Sequence, residues 1–397
     1  MPLKTIVTMP GDGIGRVVLE ETLRVLDAAG FRSEYIEADI GWEFWCKEGN
    51  PLPERTLELI DKHKIALFGA ITSKPKEEAF NELAPELRDK GFEYSSPIVG
   101  LRQHFGLDIC TRPCKTYAGN PLNFIRRGKD GSIEEPHVDV VIFRQNTEGL
   151  YGGVEWSDPP EQVHDALRLH PKFVKNFGHV PKSELSISTR IFTRKATERI
   201  LRAAFEYARK YQYPSVTVCE KPNVIRETSG MMYRLAKEFQ KNEYSDIELW
   251  NTNIDAQMMW LTKNPEDYGV IVAGNMFGDI VSDAFAGLIG GLGFACSAQF
   301  NDEGVGIFEP THGSAPKYAD YAVSIVNPIA MIESACMMLD FIGEYEMAKN
   351  IRRAIAGVVA EGRVRTYDML KLKGAADVIQ KGAASTREMT DAIIRKL

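Results

Sequence analysis

Asp279 and Asp283 stand four residues apart in the stretch Tyr268-Gly-Val-Ile-Val-Ala-Gly-Asn-Met-Phe-Gly-Asp279-Ile-Val-Ser-Asp283. Val270 to Ala273 has the length and β-branched content of a buried strand. After the Gly-Asn-Met-Phe-Gly turn, Ile280, Ala284 and Leu288 recur at helical spacing, which puts both acids on one helix face. Like charges so placed repel by about 0.3 kcal/mol on a solvated helix. A solvated acidic face, or a first-turn contact with the helix dipole, accounts for Asp279 alone. The pair at a strand-to-helix junction fits a divalent cation better, because hard cations take carboxylate oxygens.

Three arginines extend the chemistry. Arg112 follows the strand-like run Leu107 to Thr111, and Arg144 ends Val140-Val-Ile-Phe143, with Arg102 ten residues before Arg112. Charged residues at the C-terminal ends of buried strands face the ligand crevice of α/β sheets, and guanidinium forks bind carboxylates bidentately. Lys221 follows the strand Val216 to Cys219; partly buried it would serve in proton transfer, although a solvated loop lysine is the plainer reading. No glycine-flanked serine elbow supports a Ser/His/Asp triad. His312 lies in the motif-like loop Glu309-Pro-Thr-His-Gly-Ser-Ala-Pro-Lys-Tyr318, whereas most of the other six histidines sit in polar loops and need no role.

These residues need a scaffold, and strand and helix signals alternate to supply one. Ile6 to Met9 reads as a strand, followed by Gly11-Asp-Gly-Ile-Gly15 and a helix with Leu19, Leu23 and Leu26 on one side. As a dinucleotide fingerprint this turn is weak, because Arg16 stands where the third glycine belongs. Further strands are expected at Ile65 to Phe68, Val138 to Phe143, Val216 to Cys219 and Ile247 to Trp250. Helices are expected at Leu57 to Ile60, Lys195 to Tyr211, Gly230 to Lys241, Pro328 to Ile342, Tyr345 to Ala360 and Thr386 to Lys396. Thr72 to Tyr94 reads as a polar excursion with a short helix. Tyr151 to Lys182 reads as irregular, and Leu185 to Ile191 alternates as a half-exposed strand does. The order predicts an α/β protein with a parallel component, and an antiparallel insert near 150–193 suited to an oligomerisation arm.

Composition narrows the class. The 397 residues allow two domains, and 44% hydrophobic with 26% charged residues is ordinary for a globular protein. A net charge of −7 invites neither nucleic acid nor a membrane surface. No apolar run approaches the roughly twenty residues that span a bilayer, and the N-terminus shows no secretory core, which favours the cytoplasm. The six scattered cysteines form no Cys-x-x-Cys, so neither a disulfide framework nor a cysteine zinc site is expected.

Taken together, the motifs resemble the β-decarboxylating dehydrogenases, the family of isocitrate, isopropylmalate and homoisocitrate dehydrogenases. The resemblance covers nearly the whole chain. It rests on Gly11-Asp-Gly-Ile-Gly15, Arg102 with Arg112, Arg144-Gln-Asn-Thr-Glu-Gly-Leu-Tyr151, Lys221-Pro-Asn223, Asp255, Asn275-Met-Phe-Gly-Asp279-Ile-Val-Ser-Asp283 and Glu309-Pro-Thr-His-Gly-Ser-Ala-Pro-Lys-Tyr318. It implies an isocitrate/isopropylmalate dehydrogenase-like α/β fold rather than a Rossmann fold. The implied large domain is 1–107 and 290–397, the small domain 108–148 and 194–289, and the clasp-like dimerisation arm 149–193.

The resemblance also implies roles. Arg102, Arg112 and Arg144, with Ser96 and Asn223, would bind the substrate carboxylates. Asp279 and Asp283, with Asp255 of the partner subunit, would hold Mg²⁺ or Mn²⁺. Lys221 of the partner subunit would help remove the hydroxyl proton, and Tyr151 would protonate the enolate left by decarboxylation. Sites so shared imply a homodimer. Asn146-Thr-Glu-Gly-Leu-Tyr151 resembles isocitrate and homoisocitrate enzymes, and isocitrate is the expected substrate. Homoisocitrate or another 2-hydroxy-3-carboxy acid is the alternative, because Ile98 stands where asparagine is usual and 74–94 looks inserted. Glu309, His312, Gly313, Ser314, Ala315 and Asn327 would line the nicotinamide cofactor. Lys317, Tyr318, Tyr367 and Lys371 match a 2′-phosphate set, which points to NADP over NAD. A silent regulatory subunit is the non-enzyme alternative, disfavoured because every acid, base and metal position is intact.

Overall fold

The computed structural model describes residues 3–397. Ten strands form one sheet in the order Glu248–Asn253, Ser215–Glu220, Val270–Ala273, Asp139–Gln145, Ile109–Lys115, Cys296–Phe300, Gly306–Pro310, Ile65–Ala70, Lys4–Gly11 and Ser33–Glu37. The two central strands, Ile109–Lys115 and Cys296–Phe300, run antiparallel to their neighbours. The flanks are parallel. Such a mixed centre differs from an all-parallel doubly wound dinucleotide sheet.

The parallel strands are covered on both faces, as βαβ crossovers require. All four residues of Val270–Ala273 are buried, and they divide between two cores. Ile271 and Ala273 face a core shared with the helices Ile329–Phe341 and Tyr345–Glu361. Val270 and Val272 face Ile200, Leu201, Phe205, Met232 and Leu235 on the helices Arg194–Tyr211 and Thr228–Asn242. The first of these helices starts where Thr193 Oγ1 accepts the backbone N–H of Ala196 at 3.2 Å, and it ends at Gln212 in the left-handed region. Between those caps Ile200, Leu201, Ala204, Phe205 and Ala208 recur at helical spacing. Each large member contributes about 2 kcal/mol by burial.

Glu148 closes the neck of the 149–193 segment. Its carboxylate accepts the Thr193 N–H at 2.7 Å and the Thr193 hydroxyl at 2.5 Å, while Gly149 N–H donates to Ile191. Inside the neck, Glu155–Ser157 pairs antiparallel with Ser186–Ser188. The segment is less irregular than its sequence suggests, because Glu161–Arg168 and Pro171–Phe177 are helical. Pro at the first turn of one helix and an acid at the first turn of the other were the local signals. The short alternating run expected over Leu185 to Ile191 shrinks to three paired residues.

Two further expectations change. The helix after Val270–Ala273 begins at Asn275, so Asp279 lies in its second turn and is no first-turn dipole contact. Arg112 stands in the middle of its strand rather than beyond its end. The 72–94 excursion carries the helix Lys76–Glu82 and a 3₁₀ turn at Pro85–Lys90. All six cysteines are free, and no helix among the described residues is long and apolar enough to cross a membrane.

Candidate active site

Three neighbouring elements bring the arginines and acids together. Arg112 comes from Ile109–Lys115, Arg144 from the adjacent Asp139–Gln145, and Asp279 and Asp283 from the helix Asn275–Leu288 lying across them. That helix approaches closely because residue 278 is glycine: a Cβ there would sit 2.8 Å from Arg144 Cβ. Arg112 Nη1 donates to Ser282 Oγ at 2.8 Å and to Asp279 and Asp283 at 3.1 and 3.3 Å. Arg144, 2% exposed, donates through Nε and Nη2 to Asn275 Oδ1 at 2.9 and 2.7 Å and through Nη1 to Asp279. Arg102 Nε donates to Gln299 Oε1 at 2.6 Å, with Nη2 3.9 Å from Glu309.

Tyr151 completes this cluster from the neck of the arm. Its phenol donates to Asp279 Oδ2 at 3.2 Å, and the Arg144 guanidinium lies 5.6 Å from its ring centre. Burial, and then the Asp279 carboxylate, push the Tyr151 pKa up, so the phenol holds its proton at neutral pH. Burial likewise raises Asp283, opposed by Arg112 and reinforced by Asp279. Burial pulls Arg144 down to about 10, with Arg112 and Arg102 adding like-charge repulsion, which still leaves it charged at pH 7.

The acid pair fits a hard divalent cation. Both carboxylates reach one guanidinium nitrogen, all the donors are oxygens, and the Asp283 side chain is 60% exposed. No third carboxylate joins them among the described residues. Asp255 lies instead on the helix Ile254–Trp260, where it accepts a hydrogen bond from Lys221, and that ammonium holds its carboxyl below the usual range. Lys221 is placed by Ser215–Glu220, whose last residue, Glu220, is fully buried. Glu220 accepts from Gly274 N–H at 2.7 Å, Ser229 Oγ at 2.5 Å and Arg190 Nη2 at 2.8 Å. Asn223 is exposed nearby in sequence, and Ser96 begins the helix Pro97–His104 that carries Arg102.

The glycine turn and the His312 loop meet at another part of the sheet. Ile14 N–H donates to Ser314 carbonyl at 2.9 Å, and a Cβ on Gly13 would fall 2.2 Å from that oxygen. Ser314 Oγ is also 2.7 Å from Thr72 Oγ1. Gly313 is open to solvent, and His312 Nδ1 lies 3.0 Å from its carbonyl, with Nε2 buried and unpartnered. Burial lowers the His312 pKa, so the imidazole is neutral. Glu309 stands apart from this loop beside Arg102 and Gln299.

Tyr318 is buried and packs edge-on against Tyr367 at 5.7 Å, with Lys317 Nζ 4.5 Å from its ring centre. Asn327 Nδ2 donates to Asp368 at 3.1 Å, three residues before the exposed Lys371. Among the described residues, Ala315 and Lys371 are two of five non-glycine residues with positive φ, a conformation that concentrates at binding sites. Lys317 and Lys371 are exposed, and an ammonium group is a donor suited to an anion.

Residues 5–393 match the family model described as isocitrate/isopropylmalate dehydrogenase. The chain belongs to that family. It is 38% identical to homoisocitrate dehydrogenase of Methanocaldococcus jannaschii, over 94% of this chain and 96% of that protein. It is also 38% identical to protein DlpA of Legionella pneumophila, covering 99% of this chain but only 58% of the relative's length. Isocitrate dehydrogenase of Methylococcus capsulatus superposes with a TM-score of 0.80 at 33% identity, covering 99% of both chains. The isocitrate/isopropylmalate dehydrogenase fold expected from the motifs is therefore the fold of this chain. Its members use a nicotinamide cofactor and a divalent metal.

Within that family site, several supporting residues escaped the sequence reading. Asn275 orients Arg144, Ser282 orients Arg112, and Gln299 links Arg102 to Asn146. Asn275 and Ser282 lay inside the acidic motif, where spacing could have flagged them. Gln299, a single amide in a buried strand, gave no signal.

Proposed function

We propose that this chain oxidatively decarboxylates isocitrate to 2-oxoglutarate and CO₂ with NADP and Mg²⁺ or Mn²⁺. The observation that carries the proposal is the convergence of Arg112, Arg144, Asp279, Asp283 and Tyr151 in one hydrogen-bonded cluster. Three guanidinium groups suit a tricarboxylate, each fork binding a carboxylate bidentately. NADP, when bound, would accept the hydride, and Mg²⁺ or Mn²⁺ would supply Lewis acidity. Asp279 and Asp283, with Asp255 of the partner subunit, would hold that cation. Lys221 of the partner subunit takes the hydroxyl proton as the ketone forms. Loss of CO₂ from the β-keto acid leaves an enolate, and Tyr151, whose phenol stays protonated, delivers the proton to its carbon.

The single chain supports this division of labour. It holds two acids and Tyr151 in one cluster, while Lys221 and Asp255 bond to each other. A homodimer joined through the 149–193 clasp supplies both halves. Homoisocitrate is the second reading, because Ile98 packs among apolar residues where an asparagine would offer hydrogen bonds, and a homoisocitrate dehydrogenase is among the similar proteins. Lys317, Tyr318, Tyr367 and Lys371 favour NADP.

The test follows NADPH absorbance with purified protein and Mn²⁺, with isocitrate, homoisocitrate and 3-isopropylmalate compared by kcat/KM, and each repeated with NAD. The proposal expects isocitrate with NADP to be highest and EDTA to abolish turnover. A higher kcat/KM for homoisocitrate, or for NAD, replaces the corresponding half of the assignment.

A further inference from the structure

The arm's first helix, Glu161–Arg168, carries Glu161, His164 and Asp165 at positions i, i+3 and i+4, which lie on one helical face. One potential ligand atom from each lies within 4.8 Å of the others. His164 is no loop histidine. It is 8% exposed, its ring packs edge-on against Phe173 at 6.0 Å, and both ring nitrogens are buried without a hydrogen-bond partner. Leaving such a group unmatched costs about 1–3 kcal/mol. The two carboxylates are exposed and, among the described residues, enter no ion pair or hydrogen bond between side chains.

We propose that Glu161, His164 and Asp165 form a second divalent-cation site, separate from the Asp279–Asp283 pair and suited to a transition ion of the zinc class. The donor chemistry separates the two. An all-oxygen pair suits Mg²⁺ or Mn²⁺, whereas an imidazole with two carboxylates suits Zn²⁺ and its neighbours. Three protein ligands leave further coordination positions to water. The ion satisfies an otherwise orphaned imidazole nitrogen and neutralises two neighbouring acids. It also cross-links the first two turns of an eight-residue helix, a length that is marginal on its own. The site is therefore structural, stiffening the arm rather than entering the reaction.

The test uses the full-length chain stripped with chelator, in an Asp279→Asn/Asp283→Asn background that removes the other acid pair. Zn²⁺ is titrated by calorimetry and Co²⁺ by visible absorption. One ion per chain is expected, and His164→Gln abolishes both signals. Asp165→Asn, at an exposed position that leaves the fold intact by circular dichroism, weakens Zn²⁺ binding at least about tenfold, the order seen when even supporting residues of metal sites are changed. Absence of binding in the background chain, or unchanged binding in Asp165→Asn, overturns the site. Should His164→Gln fail to fold, Asp165→Asn together with Glu161→Gln decides the outcome.

Discussion

The two halves of the chemistry are built in different ways. Arg112 and Arg144 sit on adjacent buried strands, locked to Asp279, Ser282 and Asn275 of the helix above them. Lys221 and Asp255 follow the two strands at one edge of the sheet, Ser215–Glu220 and Glu248–Asn253, where they bond to each other and the Asp255 side chain is 67% exposed. The first half is preorganised by packing, so its guanidinium groups are aimed before any ligand arrives. The second half is more open, with side-chain exposures of 22% for Lys221 and 67% for Asp255, and under the proposed function it serves another copy's ligand.

The largest effect should come from breaking the buried half. Arg144→Gln leaves Asp279 without its closest cation and removes one carboxylate fork. Losing one partner of a buried charge pair costs about 2–5 kcal/mol, so kcat/KM for isocitrate should fall roughly a thousandfold. A change below tenfold would mean that Arg144 only supports the fold.

A second substitution tests the link between the halves. Glu220 ends the strand that places Lys221, yet it bonds to Gly274 at the start of the Asp279 helix and to Arg190 at the base of the arm. Arg190 is itself stacked between Phe192 and Phe277, 4.5 and 4.9 Å from their ring centres. Glu220→Gln strands a mostly buried guanidinium and should lower unfolding stability by about 3 kcal/mol in denaturant titration. If the loss is under about 1 kcal/mol, the junction is not what holds the two halves in register.

Complementation sharpens the contrast most directly. Tyr151→Phe and Lys221→Met homodimers should each be almost inactive. Refolded together, random pairing makes half of the dimers mixed, each with one intact site, so about a quarter of wild-type activity should return. No recovery, with mixed dimers verified by mass spectrometry, would place both residues in a single-chain site.

Much of this was legible in the chain. Short β-branched runs and helical periodicity located the strands and helices that carry the site, because burial on both faces leaves a strong hydrophobic signature in the sequence. Asp279 and Asp283 stood out by their spacing, which left a solvated face open as well, and Arg144 by standing at the end of a buried run. Where Arg112 lies within its strand was not legible, since an arginine followed by Pro113 reads as a strand end until a partner strand is known. Nor were the roles of Gln299 and Glu220, whose partners lie 197 and 54 residues away in sequence. His164 went unnoticed because its burial depends on Phe173 of the next helix. The sequence by itself determined the elements, the family and the kinds of chemical groups available. Only the tertiary structure decided which groups meet and which stay unpaired, because hydrogen bonds and burial between distant segments leave no periodic trace in the chain.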